Sequence, residues 1–267
     1  MLYLINNAFL ASLALGLVAG LLAGLFGIGG GLVIVPVLAL LFTAQGFPAE
    51  RVLLMAVATS LATIILTAIS SVAAHHRLGA VVWTKVLRMS LMIMVGAAIG
   101  AVVAKQIPAD VLRYMLVVFL VYVGTLMALQ VQPKPGAAQQ TIWMDCSVAV
   151  VIGLLSSIVG IGGGTLTVPY LVHGQMPMRN AVAVASACGL PIAVAGSVSY
   201  ALLGWNVTDL PAWSLGYVYL PAFVGVGLCS ILTAPLGAKL ANKLPAAKLK
   251  RYFSILLFVM AVNLSWH

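Results

Sequence analysis

A pentapeptide poorly suited to any helix, Gly27-Ile28-Gly29-Gly30-Gly31, stands inside an apolar stretch from about Ala8 to Phe42 that carries no charge. It recurs 133 positions later as Gly160-Ile161-Gly162-Gly163-Gly164, again within an apolar run. Each copy is followed at the same distance by a proline, Pro36 and Pro169. Glycine has the lowest helix propensity after proline, and a cluster of it strips the backbone of side-chain support. The pattern predicts a helix break at membrane depth. Such breaks are tolerated only where the freed backbone groups face protein or a watery cavity. Matching breaks in two halves of one chain point to a binding site of the kind transporters use.

Composition agrees with a chain that lives in lipid. Apolar residues make up 63% of the sequence and charged residues 6%, which excludes an ordinary soluble domain. The expected fold is an all-α polytopic membrane protein made of two homologous repeats. Each repeat has about four hydrophobic segments, the first of them broken by glycine. Repeat 1 covers residues 1–130, a linker with Pro133 and Pro135 covers 131–142, and repeat 2 covers 143–267. The match extends beyond the glycines: Ala97-Ala98-Ile99-Gly100-Ala101 aligns with Ala234-Pro235-Leu236-Gly237-Ala238. The net charge of +9 does not imply nucleic acid, because the basic residues are scattered over short connections without a basic-aromatic patch. The first basic residue is Arg51, so a cleaved signal peptide is not expected.

Segment lengths bear on topology. One crossing needs about 20 residues and two need about 40, so the first apolar stretch fits neither. A helix to Phe26, a break, and a shorter helix from Leu32 fit better as a discontinuous or re-entrant pair. Four simple crossings per half would make the repeats parallel. If each broken segment returns to its own side, three remain and the repeats are inverted. The inverted arrangement, which is favoured, puts 10 Lys and Arg residues on one side and 3 on the other, in keeping with the positive-inside tendency. Further segments are expected at about 52–74, 81–104, 112–130, 179–203, 213–240 and 249–264. Gly96 to Ala101 suit close helix packing, and Pro191 should bend its helix just past Ser186.

Chemistry is expected at the breaks. A helix that starts after a glycine run points its positive dipole end and bare N–H groups into the gap, where an anion can sit. Gly27, Gly29, Gly30, Gly31, Gly160, Gly162, Gly163 and Gly164 are the candidate substrate-binding positions, with Thr165 directly after the second run. Pro36 and Pro169 have a structural role there. Thr59, Ser60 and Ser186 sit mid-segment in the helix after each break, where a hydroxyl can donate to an oxoanion or close a helix–helix hydrogen bond. All four acids (Glu50, Asp110, Asp145, Asp209) fall near segment ends, which argues against a carboxylate-based cation pump. Lys85 and Arg88 are expected to snorkel to the interface or to guide an anion toward a cavity mouth. His75 and His76 read as a loop pair, so no metal or other cofactor is expected. No phosphate-loop motif and no nucleophile–base constellation occur, and the chain is not expected to be an enzyme. The three cysteines, Cys146, Cys188 and Cys229, make no disulfide framework.

The runs Gly27-Ile-Gly-Gly-Gly-Leu-Val-Ile-Val-Pro36, Ala58-Thr59-Ser60-Leu61 and His75-His76-Arg77-Leu78-Gly79, with Gly160-Ile-Gly-Gly-Gly-Thr-Leu-Thr-Val-Pro169 in the second half, resemble the sulfite exporter TauE/SafE family of membrane permeases. The resemblance covers about residues 8–265. It implies an inner-membrane transporter with a duplicated core, moving sulfite, sulfonates or related small sulfur-containing anions, mostly outward. The second half departs from Ala-Thr-Ser-Leu, reading Ala185-Ser186-Ala187-Cys188. Two alternatives stay open: a channel-like thiosulfate permease using Cys188, and a membrane scaffold for sulfur metabolism. The expected partners are the small anion and the lipid bilayer, with a homodimer compatible with the sequence.

Overall fold

A computed structural model of the chain describes residues 13–21, 31–130, 141–241 and 246–266. Of the first glycine run, Gly31 falls within them, while Gly27, Gly29 and Gly30 lie outside the described residues, as does most of the linker. The fold is all-α and built for a membrane. After a helix over 13–21 (α1) come α2 (Gly31–Ala44), α3 (Ala49–Arg77), α4 (Trp83–Gln106), α5 (Ala109–Ala128) and α6 (Ile142–Val159). Then follow α7 (Gly164–His173), α8 (Met178–Leu203), α9 (Leu220–Ala241) and α10 (Ala246–Trp266). Five of these, α3, α4, α5, α6 and α8, are long and apolar enough to cross a bilayer.

Polar contacts at the helix ends sort the bundle into two faces. At one end, Arg179 donates to the Leu78 carbonyl (2.7 Å) and Asn180 to the Ala80 carbonyl (3.0 Å), while Lys85 pairs with Asp145 (2.6 Å). These bonds bring together the end of α3 and the starts of α4, α6 and α8. At the other end Lys105 donates to the Leu203 carbonyl (3.1 Å), joining the last turns of α4 and α8. Between the ends, small residues let backbones touch. A Cβ on Gly96 would collide with the Val150 carbonyl, and one on Gly153 with the Ile93 carbonyl. The close packing expected of the Gly96–Ala101 stretch is thus made against α6, with α4 and α6 running parallel. In lipid, where apolar burial drives little helix association, such contacts carry the packing.

One expectation needs correction. The segment placed at 213–240 does not begin as a helix: Ser214–Leu215 (β1) and Val218–Tyr219 (β2) form a small antiparallel hairpin, and α9 starts at Leu220. The cause is local backbone geometry, with Trp213 at φ 70° and Gly216 at φ 55°, both left-handed. The hairpin is anchored inward, because the Tyr219 amide donates to Thr59 Oγ1 (3.0 Å) and Tyr219 packs edge-on against Phe42 and Phe47. Helix α8 spans Met178 to Leu203 with Pro191 inside it, as a proline-containing helix of the expected segment.

The second glycine run interrupts the chain as expected. Helix α6 ends at Val159 and α7 starts at Gly164, with Gly160 (φ 77°) and Gly163 (φ 73°) left-handed between them. Helix α7 then turns back: its Tyr170 hydroxyl donates to Asp145 (2.7 Å), which lies in the first turn of α6. Helices α6 and α7 are therefore the two limbs of a hairpin whose tip is the glycine run. From Asp145 to Gly160 the tip reaches about 22 Å at 1.5 Å per residue, well into a core about 30 Å thick. Helix α2 enters from the opposite end, where four residues join it to the start of α3. Gly31, the first described residue of α2, meets the tip of this hairpin in the interior.

Candidate functional site at the meeting of the helix breaks

Gly31 of α2 lies against the tip of the α6–α7 hairpin: a Cβ there would stand 2.6 Å from the Gly160 carbonyl and 3.0 Å from the Ile161 Cα. Only a glycine lets the two backbones come this close. Ser60 on α3 donates to that same Gly160 carbonyl (2.9 Å). Of the two roles open to Ser60, it takes the interhelical hydrogen bond, and Thr59 accepts the Tyr219 amide. Gly189 on α8 lies where a Cβ would meet the Gly162 carbonyl at 2.8 Å. Four elements thus converge on the tip: α2, α3, α7 and α8.

The two sides of the break differ in hydrogen bonding. On the C-terminal side of α6 three carbonyls are held: the amides of Gly160 and Ile161 both donate to that of Ser156 (2.9 Å each), the Tyr200 hydroxyl to that of Ser157 (3.1 Å) and Ser60 to that of Gly160. On the N-terminal side of α7, Gly163 occupies the cap position and offers no side-chain cap. A helix start of this kind leaves up to four N–H groups without intrahelical partners. Hydroxyls gather beside it. Ser156 and Thr167 are fully buried and their side-chain oxygens make no hydrogen bond. A Cβ on Gly163 would lie 3.5 Å from Thr167 Oγ1 and 3.6 Å from Ser156 Oγ, so both hydroxyls border one spot at the helix start. The hydroxyls of Thr165, at the first turn of α7, and Ser186, one turn before Gly189 on α8, are likewise buried and unpartnered. Ser157, in the same state, faces Gly196.

Orphaned buried hydroxyls each cost about 1–3 kcal/mol, so several around one helix start form a polar nest in an apolar bundle. What that nest lacks is charge. The described parts of α2 and α7 hold no Lys, Arg, Asp or Glu, nor do α3 between Arg51 and Arg77, α6 after Asp145, or α8 after Arg179. Among the described residues no His, Cys, Asp and Glu cluster could hold a metal ion. Pro36 is buried inside α2, while Pro169 is exposed on α7. Cys188 is buried on α8, two residues past Ser186.

The clustering of Ser156 and Thr167 was missed in the sequence, although their positions four before Gly160 and four after Gly163 carry the signal. The charges were missed too. Lys85 and Arg88 neither snorkel freely nor stand alone: Lys85 holds both oxygens of Asp145 (2.6 and 2.7 Å) and Arg88 reaches one at 3.3 Å. Asp145 is wholly buried. Together with Tyr170 it bolts the foot of the α6–α7 hairpin to α4, about 16 Å along α6 from Ser156.

A model of the family described as sulfite exporter TauE/SafE matches residues 12–264. The chain belongs to this family. A "Probable membrane transporter protein" of Haemophilus influenzae is 36% identical over 256 residues, covering 96% of this chain and 97% of its own. A further relative with that description, from Methanocaldococcus jannaschii, is 27% identical over 92% of this chain and 91% of its own. "Probable membrane transporter protein YunE" of Bacillus subtilis is 28% identical over 74% and 80%. No solved structure matches the chain. Family membership, the five candidate spans and these relatives make it a multi-pass membrane transporter.

Proposed function

We propose that this TauE/SafE protein carries a small sulfur-containing anion, such as sulfite or an organosulfonate, across the cell inner membrane. The anion is held where the glycine-broken segments meet. The observation that carries the reading lies at the second break: Ser60 and two backbone amides hold the Gly160 and Ser156 carbonyls, while the uncapped start of α7 has the unpartnered, buried hydroxyls of Ser156 and Thr167 at the Gly163 position. A helix start with hydroxyl donors beside it suits a negative guest. The sulfur chemistry rests on the family description alone. In this reading Gly27, Gly29 and Gly30 supply the matching wall from repeat 1, and Gly160, Gly162, Gly163 and Gly164 shape the wall from repeat 2.

The halves form an inverted pair, with residues 1–130 and 143–267 as the repeating units. Supporting this, α2 and α7 enter from opposite ends, and packing partners exchange when the halves are swapped: α2 with α3 as α7 with α8, and α9 with α3 as α4 with α8. Two related bodies around a fixed central site are what alternating access requires. The test is flux of labelled sulfite and methanesulfonate in proteoliposomes. Wild-type protein moves the anions, and Thr167→Val and Ser186→Ala slow them at equal reconstitution yield. Movement of a metal cation with no anion flux overturns the proposal.

A further inference from the structure

Resting on the anion reading above, we infer that the site accepts an oxoanion head bearing one negative charge and rejects an isosteric dianion. The case is electrostatic. Among the described residues no fixed cation stands beside the site: on α4 and α6, Lys85 and Arg88 are both engaged with the buried Asp145 at the foot of the hairpin. Glu50, Arg51, His75, His76, Arg77, Lys105, His173 and Arg179 stand in the end turns of their helices, and Cys146 lies beside Asp145 at the foot of the hairpin. Within the spans, Tyr170 on α7 and Cys188 and Tyr200 on α8 are ordinarily neutral near pH 7. Among the described residues the positive potential therefore comes from the start of α7 at Gly164, beside which Gly31 of α2 abuts the Gly160 carbonyl. A helix start is equivalent to roughly half an elementary charge. The four hydroxyls of Ser156, Thr165, Thr167 and Ser186 add donors without adding charge. Desolvation cost grows as the square of the charge, so a dianion costs about four times what a monoanion does. A helix end and neutral donors go far toward compensating one negative charge and fall well short for two.

Methanesulfonate and sulfate make the comparison direct, since both are small tetrahedral sulfur oxoanions and they differ by one charge. Binding of each to the full-length detergent-solubilised protein is measured by calorimetry at matched ionic strength and pH. Methanesulfonate is expected to bind at least about tenfold more tightly than sulfate, and Thr167→Val to weaken methanesulfonate by about tenfold, the loss of one charge-assisted hydrogen bond. Ser186→Ala is the second variant, used if Thr167→Val is not monodisperse. Sulfate binding as tightly as methanesulfonate overturns the single-charge inference and leaves the anion reading standing. Binding of neither anion, by a protein that is folded and moves a cation in liposomes, overturns both.

Discussion

Replacing Gly163 with alanine tests whether the hairpin tip is built as described. Two separable penalties arise. The residue sits at φ 73°, where an L side chain costs about 1–2 kcal/mol. Its new methyl also collides with Ile192 Cδ1 on α8, an overpacking cost of about 1–3 kcal/mol. Thr167 Oγ1 and Ser156 Oγ, at 3.5 and 3.6 Å, stay in ordinary contact and add little. The sum, about 2–5 kcal/mol, is expected to lower the thermal midpoint in detergent by about 5–15 °C. Ile192→Val removes the one colliding atom. In that background Gly163→Ala should cost only the backbone part, about 1–2 kcal/mol, and the difference between backgrounds is the contact energy. Equal cost in both backgrounds refutes the contact with α8. No cost in either refutes the left-handed break.

Three further outcomes are expected. Asp145→Asn leaves Lys85 and Arg88 beside a neutral partner and should destabilise by about 3–5 kcal/mol, with Asp145→Asn/Lys85→Met recovering part of the loss in thermal unfolding. Thr59→Val strands the buried Tyr219 amide and should cost about 1–3 kcal/mol; Ser60→Ala leaves only a carbonyl under-satisfied and should cost less, about 1 kcal/mol, by the same assay. In a cysteine-free background, Lys105→Cys and Arg179→Cys should react with an impermeant maleimide from opposite sides of the membrane, and labelling from one side refutes the helix directions.

What could be read in advance was whatever depends on local backbone chemistry. Gly160 to Gly164 with Pro169 specify a break because no side chain supports a helix there, and the return of α7 is the re-entrant arrangement that the length of the matching first stretch, too long for one crossing and too short for two, suggests for the repeat. What escaped was set by contacts distant in sequence. Asp145 and Lys85 lie 60 residues apart, and each alone looks like an interfacial charge. That Thr59 accepts the amide of Tyr219, 160 residues on, is likewise invisible from its own neighbourhood in sequence. The hairpin at Ser214–Tyr219 hides in an apolar sequence because Trp213 adopts a left-handed backbone that its residue type does not announce.

The direction of the break decides which ion it can serve. A transporter that unwinds a helix to hold sodium uses freed carbonyls and C-terminal helix ends. Here the carbonyl of Gly160 is capped by Ser60 and that of Ser156 by two amides, so these two acceptors of the break are already taken by the protein's own donors. The amide half is left to a glycine that cannot cap it, among hydroxyls free to rotate their protons toward a guest. Ser60 stabilises the tip and, in the same bond, removes its best acceptor. Ser60→Ala should therefore uncover the Gly160 carbonyl and weaken anion flux by lowering the positive potential at the tip, while leaving the α7 donors in place. An increase in anion flux, with stability unchanged, would mean that the carbonyl side of the break is not part of the selection.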